Sequence, residues 1–145
     1  MTMTIDAMLC DAATVREGLL NVLGAGITRL HREQFPAAMG TQLALLLHST
    51  AKEMGKNHKL VITVTHENKE KIAEFAVDFS VAANAGSKAD ETITVPLVAT
   101  FAQQVLPSPG TYNIELNIDG SVARVVQFQA GLAPKPAAMP GSARG

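Results

Sequence analysis

The sequence predicts an all-β fold, an antiparallel β-sandwich of about eight strands. Three observations predict it. From Glu70 to Val81 the residues alternate between the two sides of an extended chain, and a helix would scatter Phe75, Val77 and Phe79 around its circumference. Residues 111–118 alternate in the same way, and after Asp119-Gly120, a pair suited to the positive φ of a tight hairpin turn, residues 122–128 return as the partner strand. Turn residues recur along the chain at the spacing of a sandwich.

The elements follow in order. A first strand is expected near Thr4–Cys10, then a turn near Ala12–Gly18 and a second strand from Leu19 to His31, with Gly24 or Gly26 at a bulge. The alternative for residues 12–23 is a helix, since Thr14-Val15-Arg16-Glu17 reads as a capping box. Gly18, Gly24 and Gly26 would each weaken that helix by up to about 1 kcal/mol relative to Ala, which favours the strand. Thr41–Ser49 reads as a strand with Leu43, Leu45 and Leu47 inward, and Ser49–Asn57 as a polar connection with room for one helical turn.

Lys59–His66 is β-branched through Val61, Ile62, Thr63, Val64 and Thr65, and Glu67-Asn68-Lys69 forms a short polar link to the next strand. In that strand Ala73, Phe75, Val77, Phe79 and Val81 point one way, and Ile72, Glu74, Ala76, Asp78 and Ser80 the other. Ala83–Asp90 should be an exposed loop. Thr92–Leu97 alternates through Ile93, Val95 and Leu97, and Pro96, which cannot donate to a ladder, places it at an edge or near a strand end. Pro107, Pro109 and Gly110 set a turn before Tyr112, Ile114, Leu116 and Ile118 line one face. Residues 1–131 should form one domain and 132–145 a disordered tail rich in Pro, Ala and Gly.

Composition agrees with one folded domain. The chain has 145 residues, 47% hydrophobic and 17% charged, with no Trp, one Tyr and five Phe, so its core must be aliphatic. The net charge is −1 and the basic residues are interleaved with acids, which argues against nucleic acid as a partner. Self-repulsion is correspondingly weak, so association between copies is physically easy. Cys10 is the only cysteine and is expected to be buried and inert. Met1–Met8 lacks the pattern of a signal peptide, and no run approaches the roughly 18 apolar residues of a membrane span. The expected location is cytoplasmic, away from membranes.

Two resemblances attach to quoted residues. The spacing Gly110-x-Tyr112-x-Ile114 resembles the tyrosine corner of immunoglobulin-like sandwiches; a Tyr that simply caps the core is the alternative. The run Leu19–Leu30, Phe35-Pro36, the Leu43–Leu47 strand, Leu106–Tyr112 and Ile118-Asp119-Gly120, taken in order, resembles a family of small bacterial β-sandwich proteins of unknown function. The resemblance covers roughly residues 5 to 130. It implies a sandwich, immunoglobulin-like or jelly-roll-like, and no activity. Glu67-Asn68-Lys69 departs from it, standing where a tighter glycine-containing turn is expected.

No chemistry stands out. Gly24-x-Gly26 lacks the third glycine and the strand-to-helix setting of a dinucleotide site. No serine sits in a nucleophile elbow, and Ser49, Ser80, Ser87, Ser108 and Ser121 show no partner spacing. His58 and His66, about 26 Å apart along an ideal strand, cannot share one metal, and nothing requires His48 to join either. Glu74 and Asp78 read as a solvated strand face, and Arg124 as a partner for Glu115 or an interface residue. No catalytic residue, cofactor-binding residue or metal ligand is therefore expected. Three functions remain, in descending order. The first is a non-enzymatic protein-interaction or structural module, motivated by the outward apolar residues Ile62, Val64 and Ala76 and covered by a protein partner or a second copy. The second is a small-ligand or carbohydrate-binding domain with its site in the end loops. The third is an enzyme assembled from distant loops.

Overall fold

Twelve strands in four sheets make up the chain, in a computed structural model that describes residues 3–53, 55–82, 88 and 90–134. The all-β expectation agrees with this architecture, but the strands are more numerous and more divided than about eight in a sandwich. A three-stranded sheet has the order β1-β6-β9, from β1 (Thr4–Cys10), β6 (Gln42–Thr50) and β9 (Thr92–Thr100), all antiparallel. A five-stranded sheet has the order β4-β12-β11-β7-β8 and curls as a half-barrel. It contains β4 (Arg29–Arg32), β7 (Asn57–His66), β8 (Lys71–Ser80), β11 (Gly110–Ile118) and β12 (Ser121–Leu132). It is a mixed sheet, because β4 runs parallel to β12. Two small ribbons complete the set: β2 (Ala12–Arg16) with β3 (Leu19–Leu23), and β5 (Ala37–Ala38) with β10 (Val105–Leu106).

The β11–β12 hairpin forms where the sequence places it. Asp119 and Gly120 take φ of 50° and 91°, the left-handed pair of a tight turn, and Tyr112, Ile114, Leu116 and Ile118 are buried in a row. Leu43, Leu45 and Leu47 of β6 are buried as expected, and a 3₁₀ turn (Ala51–Glu53) follows β6. These rows meet Ile5 and Leu9 of β1 and Phe128 of β12 in one core shared by the two larger sheets. Strand β9 lies at an edge, consistent with Pro96.

Four expectations need correction. Residues 12–23 form neither a helix nor a 12–18 turn. They form a ribbon closed by Glu17 and Gly18 at φ 53° and 75°. Strand β3 ends at Leu23 rather than continuing to His31, because Gly24 and Gly26 both take positive φ and carry the chain away before β4 starts. Ile62 and Val64 do not point outward; they are buried with Leu60, opposite Phe75 and Ala73 of β8 and Leu116 and Ile114 of β11. Only Ala76 of that trio is exposed. The link at Glu67-Asn68-Lys69 needs no glycine, since Lys69 itself takes φ 77° while Asn68 Oδ1 accepts the Glu70 N–H at 2.8 Å.

Most of the expected loop at 83–90 and the expected tail from residue 135 onward lie outside the described residues. Leu132 itself belongs to β12, and the Ala133 N–H bonds the Arg32 carbonyl at 2.8 Å. Among the described residues no helix is long and apolar enough to cross a membrane.

Candidate interaction surface

Each strand of the three-stranded sheet alternates, so the sheet has a second face behind the core. That face carries Met8, Cys10, Ala44 and Val98, which are too apolar to be left in water. The β2–β3 ribbon folds back over them. In an antiparallel pair directly opposed residues share a face, so Ala13 with Val22 and Val15 with Leu20 point toward the sheet. Ala13, Leu20 and Val22 pack on Cys10 and Ala44, forming a second small apolar cluster.

Polar bonds hold the ribbon in place. Gln42 Oε1 accepts the Ala13 N–H at 2.5 Å, the Asp11 N–H bonds the Leu23 carbonyl at 3.0 Å, and the Gly26 N–H reaches the Leu9 carbonyl at 2.9 Å. The Cys10 thiol is buried beneath the ribbon, where desolvation first and the nearby Asp11 carboxylate second push its pKa up, so it stays a thiol.

The opposite face of the ribbon is covered by nothing in the described chain. Leu23 is 72% exposed and Leu19 67%, and even Val15 on the inward side is 45% exposed. Beside them residues 12–14 and 20–23 border an open concavity of about 490 Å³, with small side chains along β2. Strand β3 carries no charge; Arg16 and Glu17 lie at the turn and Asp11 at the opposite end. Leu19 and Leu23 thus stand at the two ends of the outward face of β3, with Asn21 between them and Arg16 across from Leu19 at the turn end. The sequence reading missed this face because its motivating residues, Ile62 and Val64, are core.

Three histidines gather polar partners around their rings. His66 is buried and lies 3.3 Å from Ser108 Oγ, a pair separated by 42 residues that the sequence did not suggest. Its Nδ1 accepts the Asn68 N–H at 3.1 Å, which puts the ring proton on Nε2, aimed at the Pro109 carbonyl 2.9 Å away. That nitrogen therefore has no lone pair for the serine proton, and the pair fixes a turn rather than activating a nucleophile. Gly110 is required beside it: at φ 143° a Cβ would come within 2.6 Å of His66 Nε2.

His58 is buried between two carboxylates. Its Nδ1 lies 2.6 Å from Asp119 Oδ2, its Nε2 lies 3.5 Å from Glu53 Oε1, and its ring stacks on Phe79. The hydrogen bond from His58, then the Lys59 N–H at 2.9 Å, hold the Asp119 carboxyl below its ordinary range. His48 is half-exposed, bonded to Asp6 at 2.7 Å and Thr94 at 3.2 Å. The three histidines keep separate partners, and among the described residues no group of three or more His, Cys, Asp or Glu could hold a metal ion. Glu74 is exposed and pairs with Lys71 at 2.8 Å, and Asp78 is exposed. Arg124 stands opposite Leu116 rather than Glu115.

The chain matches the Family of unknown function (DUF6941) over residues 5–131. It belongs to this family. The match runs from the second residue of β1 to the penultimate residue of β12, so the family unit includes both main sheets and the β2–β3 ribbon. No curated protein gives a significant match.

Proposed function

We propose that this member of the family is a non-enzymatic protein-interaction module whose contact surface is the outward face of the β2–β3 ribbon. The observation that carries this reading is the exposure of Leu19 and Leu23, at the two ends of one strand face on an element already anchored from below. Burying each leucine would contribute about 1.5–3 kcal/mol, a driving force that the isolated fold leaves unused. The histidine clusters favour the same reading, since His66 donates to a carbonyl and His48 and His58 are engaged by carboxylates.

The second reading, a small-ligand or carbohydrate site in the end loops, has less support. The cavity at that end, beside Met3, Asp119 and Val122, is about 160 Å³, below the roughly 300 Å³ at which ligand pockets begin. We also read the three- and five-stranded sheets as two layers over one core, sandwich-like in outline. The Tyr112 hydroxyl bonded to the Ser108 backbone supports an immunoglobulin-type corner in that reading. A bacterial, cytoplasmic setting, in which Cys10 stays reduced, belongs to the same proposal.

The test is affinity capture with the intact protein and a Leu19→Asp/Leu23→Asp variant. The variant should keep its circular dichroism spectrum and lose the bound protein, whether a second copy or another chain. Equal capture by both proteins would remove the ribbon face from consideration.

A further inference from the structure

The reading above leaves the partner's identity open, and the following inference rests on it. Strand β3 pairs with β2 on one side only. The two-residue turn makes Arg16 and Leu19 the hydrogen-bonded closing pair. Leu19, Asn21 and Leu23 therefore direct their backbone groups toward β2, and Leu20 and Val22 direct theirs to the other edge. Among the described residues no hydrogen bond outside the β2 ladder reaches Leu20 or Val22. The edge also lacks the usual protections, a charge, a proline or a bulge within the strand.

The sequence of that edge, Leu19-Leu20-Asn21-Val22-Leu23, reads almost identically in both directions. We propose that a second copy of this chain pairs here, β3 against β3 antiparallel, with the two-fold axis at Asn21. On that axis Leu20 and the partner's Val22 exchange their free N–H and C=O groups, and the symmetry repeats the exchange. The outward side chains fit the same register. Leu19 lies across from the partner's Leu23, so the two most exposed large apolar residues of the described chain cover each other twice. Asn21 meets its own copy at the close, non-hydrogen-bonded position. A net charge of −1 offers little resistance to self-association.

Light scattering over a concentration series tests this. The mass should rise from 15.3 kDa toward twice that value, and Asn21→Lys, which sets two ammonium groups against each other on the axis, should hold it at 15.3 kDa. Asn21 is exposed, so an unchanged circular dichroism spectrum and thermal midpoint should confirm that the variant is folded. Under mild oxidation Asn21→Cys should form an interchain disulfide, and Thr14→Cys on β2 should not. A mass of 15.3 kDa at every concentration overturns the proposal. So does a dimer that survives Asn21→Lys and resists the Asn21→Cys cross-link. In either failure, capture of a different protein that is lost with Asn21→Lys leaves the ribbon as a surface for another partner, while capture unaffected by it removes both readings.

Discussion

Tyr112→Phe isolates a single polar contact inside the core. Tyr112 is fully buried; its hydroxyl donates to the Ser108 carbonyl at 2.5 Å and accepts the Ser108 N–H at 3.4 Å. The second contact is long, so most of the loss belongs to the first. The ring keeps its stacking on Phe128 at 5.2 Å and its edge contact with His66 at 4.7 Å, which makes the substitution nearly free of packing loss. A net hydrogen bond contributes about 1 kcal/mol, and a deserted buried carbonyl raises the cost toward 3 kcal/mol. Ser108 is half-buried, so water can partly replace the hydroxyl, and the expected loss is about 1–1.5 kcal/mol. Urea denaturation should show a lower midpoint with an unchanged m value.

A variant as stable as the parent, or one that loses more than about 3 kcal/mol, would refute the reasoning. The same residue gives a pH signature. Burial raises the Tyr112 pKa despite the Ser108 hydrogen bonds, so the folded state holds the phenolic proton longer than the unfolded one. Stability from this group is then complete below the unfolded value near 10 and falls as pH climbs toward the folded value. Tyr112 is the only tyrosine and there is no tryptophan, so tyrosinate absorbance reports this titration alone.

Other perturbations address other joints of the fold. Arg32 donates to the carbonyls of His31, Ala38 and Met39, a fork that an ammonium group cannot reproduce; Arg32→Lys should cost about 1–3 kcal/mol in denaturant titration. Lys69 adopts φ 77° with its side chain exposed, so Lys69→Gly should be neutral or stabilising by up to about 1 kcal/mol in thermal unfolding; a clear loss would mean that the turn is closed differently. Asp119→Asn keeps a residue tolerant of positive φ but loses the charge that His58 and Lys59 hold. The parent's stability from this group should be present above the unfolded carboxyl pKa and lost as pH falls through the lower folded value, and an acid titration of the variant should lack that component.

Much of the strand framework was legible because side-chain alternation and turn chemistry agree locally. Leu43, Leu45 and Leu47 and the row from Tyr112 to Ile118 needed nothing beyond their own segments. The phase of β7 was also present: Leu60, Ile62 and Val64 are all apolar, whereas the alternate positions, Lys59, Val61, Thr63 and Thr65, are polar at three of four. Reading β-branched residues without counting Leu60 placed that row on the wrong side. The β2–β3 ribbon was hidden by its turn, where Glu17 takes the positive φ that Asn or Asp usually signals. The pairs His66–Ser108 and His58–Asp119 join segments 42 and 61 residues apart, and no local pattern announces such contacts. The candidate surface depends on knowing which face of a short ribbon is already covered, and that is a tertiary fact.

Amide hydrogen exchange at Leu20 and Val22 measures the free edge of β3 directly. If a second copy pairs there, both amides should be protected in concentrated solution and exchange faster on dilution, while Asn21 and Leu23, bonded to β2, change little. Fast exchange of Leu20 and Val22 at every concentration, or protection indifferent to dilution, would contradict the account.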